Sequence, residues 1–387
     1  MPIIETIWIV LQLLVGYHLI FPLVLAGIYV LAKPFQQIKK HDVAAEADYG
    51  IIVTAYEQTS QLPAVVASLL ALNYNKYVIY IVADNCSIDG LDFKSSKVIL
   101  LRPEVIIASN TGSHFYAIQH FIRPHERLTI IDSDNLVHPE YIHELNRFFE
   151  GGYQAVQGVR EPKNLNTMYA CLDAARDKYY HYYDGKILFG AGASATLAGS
   201  GMAFTTALYK ECLQHRKIKG PGFDKILQYE IVKRGYRIAF AANAWVYDEK
   251  TAQSDQLVNQ RARWLQSWFR YFGYGFHLTG KGIARLNWNQ FLFGMVLLRP
   301  PLFLFLLAGA MMLFINLLID PFVAAIWGLG FALFVAGFLL ALANQATDPR
   351  IYRSLINIPR FMGLQLQSLM RARKAGKYSV ATRHSTI

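Results

Sequence analysis

The sequence predicts an α/β protein: an open, mostly parallel sheet in a water-facing domain, held at a membrane by three spanning helices. Two observations carry that prediction. Short apolar runs rich in β-branched residues, at 49–55, 77–83, 97–101 and 128–131, alternate with helix-like segments, the pattern of parallel strands joined by crossovers. Three stretches, 7–31, 302–319 and 322–343, contain no charged residue, and each comes near or exceeds the ~20 residues that cross ~30 Å of hydrocarbon.

Composition agrees with both. A chain of 387 residues exceeds what one core usually serves. With 53% hydrophobic and 17% charged residues and a mean hydropathy of +0.22, it is not a disordered, coiled-coil or purely soluble chain. Cys86, Cys171 and Cys212 are odd in number and widely spaced, so they predict neither a disulfide framework nor a zinc site, and suit a reducing cytosol. The net charge of +11 is concentrated: residues 345–387 hold eight basic side chains against one acid, Asp348. Basic residues beside a membrane span predict a lipid surface and no nucleic acid.

Taken in chain order, residues 1–32 form a membrane anchor. They lack the basic start, the short apolar length and the small-residue cleavage site of a signal peptide. Residues 33–264 form the cytosolic domain, 265–300 an amphipathic interfacial segment containing Trp268, Phe269, Phe272 and Phe276, and 301–345 a two-helix hairpin turning at Asp320-Pro321. Residues 346–387 are a basic cytosolic tail in which Ile351, Leu355, Ile358, Met362, Leu366 and Leu369 recur near helical spacing. That spacing fits a helix on an anionic leaflet, with a solvated tail as the alternative. Lys33, Lys39 and Lys40 after the first span and the basic tail after the third predict a multi-pass protein of the cytoplasmic (inner) membrane, with its amino terminus outside and the domain in the cytosol.

In parallel sheets, chemistry collects beyond the carboxyl ends of the strands. The residues there are Thr54-Ala55-Tyr56-Glu57, Asp84-Asn85 and Asp132-Ser133-Asp134-Asn135. No P-loop or G-x-G-x-x-G follows the first strand, and the histidines miss metal-pair spacing, as His114/His120 and His138/His143 illustrate. Asp132-x-Asp134 suits one hard divalent cation shared with a diphosphate. An acidic turn that ends a strand and precedes a helix at Pro139-Glu140 is the competing reading. Three features recur in order with it: the carboxylates after strands one and two, a small-residue turn at Gly199-Ser200-Gly201 followed by Asp224, and Gln260-Arg261-Ala262-Arg263-Trp264. The last puts two cations and an indole on adjoining helical positions. Guanidinium forks suit a pyrophosphate and the indole offers a flat apolar face, although a membrane-proximal basic and aromatic belt has the same composition.

In these motifs, Q-R-x-R-W after D-x-D above all, the chain resembles the membrane-integrated family 2 glycosyltransferases, the group of cellulose, chitin and hyaluronan synthases. The resemblance implies a GT-A (Rossmann-like) catalytic domain, a nucleotide-sugar donor such as a UDP-sugar, and Mg2+ or Mn2+. It implies hexosyl transfer with inversion to a glycan or lipid-linked acceptor. Donor contacts would come from Thr54, Ala55, Tyr56, Glu57, Asp84, Asn110, Asp132, Ser133, Gln260, Arg261, Arg263 and Trp264. The metal would sit on Asp132 and Asp134, and Asp224 would be the base. The acceptor would meet Gly199, Ser200, Gly201 and Trp264.

Two positions depart from the family pattern: Phe223-Asp224 replaces the usual Glu-Asp, and Ser109-Asn110-Thr111-Gly112-Ser113 lacks the usual basic residue. A catalytically silent membrane scaffold is therefore the alternative function. Three spans are few for a polymer channel, so a processive enzyme would need a homo-oligomer or an export partner.

Overall fold

The computed structural model describes residues 2–33, 46–218 and 220–372. Lys39, Lys40, Arg373, Lys374, Lys377 and Arg383, which entered the charge argument, lie outside the described residues. Eight strands, β1 (Tyr49–Tyr56), β2 (Tyr77–Asp84), β3 (Val98–Leu101), β4 (Arg127–Asp132), β5 (Leu136–Val137), β6 (Ala155–Pro162), β7 (Met202–Thr205) and β8 (Ile238–Asp248), form one sheet in the order β3-β2-β1-β4-β7-β6-β8-β5. Pairing is parallel from β3 to β4. Beyond β4 the sheet is mixed, because β7 runs antiparallel between β4 and β6 and β5 runs antiparallel to β8. The expected parallel character thus belongs to the first half of the sheet.

Alternation sorts side chains to two faces. Tyr49, Ile51, Val53 and Ala55 of β1 join Tyr77, Ile79 and Ile81 of β2 in one core, with the Leu62–Leu70 and Tyr141–Glu150 helices. Ile52 joins Val78, Tyr80 and Val82 in the other. That second core runs without a break into Leu19, Leu25, Phe305, Met312, Trp327 and Phe334 of three long apolar helices. The bridge is the Met168–Tyr180 helix, which continues through a π-helical turn, His181–Ile187.

Ile3–Ala32, Leu302–Ile319 and Pro321–Ala343 are long and apolar enough to cross a membrane. Asp320 turns the hairpin by accepting from the amides of Phe322 (3.0 Å) and Val323 (3.3 Å). The first helix is fixed to the hairpin by Gln12, whose Oε1 accepts from Asn316 Nδ2 (2.7 Å) and Trp327 Nε1 (2.8 Å). Losing two hydrogen bonds between apolar helices, Gln12→Leu is expected to destabilise the purified protein by about 1 kcal/mol. Thermal unfolding in detergent reads this, and an unchanged midpoint would remove Gln12 as the fastener.

Between the domain and the hairpin, segment 265–300 holds the end of the Ser254–Tyr271 helix followed by Gly273–Ala284 and Trp288–Leu298. Asn289 Oδ1 accepts from Ser194 Oγ (2.8 Å), and Gln290 Nε2 donates to the Val232 carbonyl (3.0 Å). These buried bonds bolt the last helix to the domain. The tail helix Ile358–Ala372 buries Phe361, Gln365, Ser368 and Ala372. Of the stripe read in the sequence, Ile358, Met362, Leu366 and Leu369 lie off that buried side and stay exposed or half-buried. Small Ser368 and Ala372 allow close approach to the domain, while Leu366 and Met370 stay exposed, at 42% and 75%.

Candidate active site

Parallel strands end at one edge, so the residues after β1, β2 and β4 meet there. Thr54, Ala55, Tyr56, Asp84, Asn110 and the run Asp132-Ser133-Asp134 line a chamber of about 260 Å³. Glu57 sits exposed at the rim, where its Oε1 accepts from Asn85 Nδ2 at 3.3 Å. Left-handed backbone at Glu57 (φ 60°), Asn85 (φ 54°) and Ala108 (φ 47°) gathers around this chamber. Each such residue costs on the order of 1–3 kcal/mol, a strain that collects at functional edges.

Asp84 is 2% exposed; its Oδ1 accepts from the Ile107 amide (3.0 Å) and its Oδ2 from the Ala108 amide (2.7 Å). It therefore clamps the loop that enters the Asn110–Gln119 helix, and so fixes Asn110. Ser200 does the same for the aspartate pair. Its buried hydroxyl accepts from the Asp132 amide (3.1 Å) and from Asn135 Nδ2 (2.8 Å). The Gly201 amide donates to the Ile130 carbonyl (3.0 Å) while its own carbonyl accepts from the Gly158 amide (2.8 Å). Of the Gly199-Ser200-Gly201 turn, then, Gly199 lines a cavity, and Ser200 and Gly201 lie behind the wall supporting Asp132.

Burial and the neighbouring Asp248 carboxylate push Asp134 up to about 6, against the opposing charge of Lys163. Lys163 Nζ donates to the Asp134 carbonyl (2.9 Å) and to Gln61 Oε1 (3.1 Å). Among the described residues no three acidic, histidine or cysteine side chains gather as a metal cage. Two carboxylates in a polar chamber still fit Mg2+ or Mn2+, because such ions complete their shell with phosphate oxygens and water. The positive charge would also relieve the crowding that raises Asp134.

A second cavity, of about 1030 Å³, shares Asn110, Asp132, Arg160 and Gln260 with the first. Asp224 lines it from the first turn of the Phe223–Lys233 helix. Gly222 precedes that helix at φ 99°, and an added Cβ there would lie 2.8 Å from Tyr271 Cε2. Glycine thus seats Asp224 directly against the helix carrying Gln260 to Trp264. Phe223 packs edge-on to the His114 ring at 5.1 Å, and His114 Nδ1 bonds Tyr209 Oη at 2.7 Å. Burial drives His114 down to about 3. The slot that Phe223 fills is apolar, and a glutamate there would be desolvated, which gives the Phe223-Asp224 departure a packing reason.

Along the Ser254–Tyr271 helix, Gln260 reaches both chambers and accepts from Thr251 Oγ1 at 3.2 Å. Arg261 pairs with buried Asp173, and its Nε and Nη1 find no partner among the described residues. The guanidinium carbons of Arg261 (4.1 Å) and Arg176 (4.5 Å) pack on the Trp264 ring. Arg263 lines the larger cavity, with its pKa lowered by burial.

Sequence reasoning missed Arg160 on β6, which lines both chambers. Burial opposes its charge, but Asp177, Asp248, Asp132 and Asp224 raise its pKa overall. Nη2 lies 3.3 Å from Asp177 and Nη1 3.7 Å from Asp248. Lys250, 1% exposed, joins the same two carboxylates at 2.5 and 2.7 Å. The available signal was weak: Arg160 and Lys163 flank Glu161-Pro162 at the end of a strand whose Gln157 and Gly158 break the apolar pattern.

A sheet of this order, with an aspartate pair at the end of β4 and a closing arginine-tryptophan helix, defines a GT-A glycosyltransferase fold. The chain belongs to glycosyltransferase-like family 2, whose family model matches residues 47–267. Its fold is similar to that of the mannosyltransferase PcManGT from Pyrobaculum calidifontis, solved in complex with GDP-Man and Mn2+. The TM-score is 0.56 at 16% identity, over 93% of this chain and 98% of that one. A weaker likeness, to S. aureus TarS, has a TM-score of 0.36 at 15% identity, over 56% of this chain and 39% of that one. No curated protein sequence matches.

Proposed function

We propose that this protein is an inverting, metal-assisted hexosyltransferase of the membrane-integrated, synthase-like branch of its family. It would act at the cytoplasmic face on a UDP- or GDP-sugar. The observation that carries this reading is the shared wall: the strand-end chamber and the cavity holding Asp224 have Asp132, Arg160, Asn110 and Gln260 in common. A donor seated in the first therefore presents its sugar to the second.

Thr54, Ala55, Tyr56, Asp84 and Ser133 surround the nucleoside, with Glu57 at the rim, and Asn110 and Gln260 border the diphosphate. Arg261 and Arg263 stabilise the leaving charge, while Arg160 keeps a fixed cation between the two aspartate sides. Mg2+ or Mn2+ bound to Asp132 and Asp134 would supply Lewis-acid neutralisation of the diphosphate. Asp224 takes the acceptor hydroxyl proton as the acceptor oxygen bonds to the anomeric carbon. The bond from that carbon to the diphosphate oxygen breaks, and the diphosphate leaves with the electron pair. Gly199, backed by Ser200 and Gly201, and Trp264 border the acceptor. Lys33 and the basic tail support the cytoplasmic placement.

Full-length protein in neutral-lipid nanodiscs, given UDP- and GDP-sugars with Mg2+ or Mn2+, is expected to release nucleotide from one donor and to stop when metal is chelated. Asp134→Ala is expected to abolish release. Folded protein that turns over no donor would instead be a silent scaffold.

A further inference from the structure

The larger cavity does not end at the sugar chemistry. It passes a polar waist of Arg176, His181, Asp184 and Arg299 and continues between the hairpin helices. Ten residues of Leu302–Ile319 and Pro321–Ala343 line this extension, all of them apolar, among them Leu306, Ala310, Phe331 and Leu339. The extension opens sideways, because Ala310 is exposed and Val335 and Leu339 are 53% and 42% exposed. At 1.5 Å per residue its lining covers about 12 Å of each helix, from Leu302 to Ala310 and from Leu339 back to Phe331, which lies about 18 Å from the helix end at Ala343. That depth stops near the middle of a ~30 Å hydrocarbon layer, so the extension is a blind groove rather than a pore. A glycan there would leave its hydroxyls without partners, at several kcal/mol each. Hydrocarbon fits it.

The waist indicates the head group. Arg299 and Asp184 form a buried ion pair with side chains only 5% and 6% exposed. Even so, Arg299 Nη1, Asp184 Oδ1 and His181 Nδ1 find no hydrogen-bond partner among the described residues. Both residues line the cavity, and with these sealed atoms turned toward it the pair offers one donor and one acceptor, which matches a hydroxyl, a group that both gives and takes a hydrogen bond. A phosphate, which only accepts at its ionised oxygens, would leave Asp184 Oδ1 facing like charge.

Resting on the transferase reading above, we propose that the acceptor is a glycolipid. Its hydrocarbon chain lies in the groove between the hairpin helices, a hydroxyl of its sugar head meets Arg299 and Asp184, and a further sugar hydroxyl reaches the chamber of Asp224.

The test uses full-length protein in phosphatidylcholine nanodiscs, with empty nanodiscs subtracted, and needs no donor. Radiolabelled dodecyl maltoside is expected to bind at least tenfold more tightly than maltose. Ala310→Trp, which fills the groove from an exposed position, is expected to remove most of that advantage. Leu317→Trp on the same helix is 55% exposed and outside the cavity, and is expected to change nothing. Asp184→Asn/Arg299→Gln keeps the net charge of that pair at zero while changing its donors and acceptors, and is expected to weaken dodecyl maltoside and leave dodecanol as it was. Equal binding of maltose, or indifference to Ala310→Trp, overturns the groove. Dodecyl phosphate binding as well as the maltoside overturns the head-group assignment. Because binding is read without turnover, an inactive enzyme would sink the transferase reading and leave this result standing on its own.

Discussion

Asp224→Asn is expected to lower sugar transfer by about 10²- to 10⁴-fold, the usual contribution of a positioned general base, while nucleotide-sugar binding stays unchanged. The substitution keeps the side chain's size, and the Asp224 side chain is only 18% exposed, at the wall of the larger cavity. Its nearest cation, Lys225 Nζ at 3.5 Å, is itself well exposed, so no buried charge is stranded. The loss should therefore appear in kcat, and donor binding measured separately should match the wild type. Transfer at the wild-type rate would move the base elsewhere and return Asp224 to a helix-start carboxylate beside a favourable dipole.

The second large effect falls on stability. Lys250→Met is expected to cost about 3–5 kcal/mol, because removing one partner of a buried ion network leaves charge uncompensated. Lys250 is almost wholly enclosed, between Asp177 and Asp248. Burial alone would raise Asp177, but Lys250, Arg176 and Arg160 together hold its carboxyl well below the ordinary range. A carboxylate depressed in the fold contributes stability above its unfolded pKa of ~3.9 and loses it as pH falls through the folded value. The gap between wild type and variant should thus be full at neutral pH and narrow in acid, below about pH 4. Denaturation midpoints at several pH values read both features, and a gap that stays constant into acid would remove Asp177 as its source.

Much of this arrangement was legible beforehand, for reasons that differ by region. Of the first four strands, β1, β2 and β4 carry apolar runs buried on both faces and β3 a half-buried one, and the predicted runs fall within a residue or two of all four. The later strands were missed. In β6 (Ala155–Pro162) a glutamine and a glycine sit at the bulge between Gln157 and Val159, and in β8 (Ile238–Asp248) the run Ala241-Ala242-Asn243-Ala244 looks like a loop. Antiparallel insertion of β7 also leaves no crossover signal, since Met202–Thr205 is only four residues long.

The same division holds in the site. Asp132, Asp134, Asp224, Gln260, Arg261, Arg263 and Trp264, singled out by their order and spacing, all line one or other of the two cavities. Ser200 as a prop for Asp132, Arg160 between the chambers, and Lys250 beneath them were not legible in the sequence. Each acts through a partner far along the chain, such as Lys250 with Asp177, 73 positions away.

By itself the sequence determined the parallel half-sheet, the three long apolar helices and the carboxylates at the strand ends. Hydropathy, period and bilayer thickness act within a short window of chain. The tertiary structure decided which polar groups share a wall. Arg299 meets Asp184 across 115 positions, Gln12 meets Trp327 across 315, and the strand-end chamber shares a wall with a cavity that runs on between two apolar helices. Such pairings arise when buried donors and acceptors must find one another as helices and sheet pack, and that demand leaves no periodic trace in the sequence.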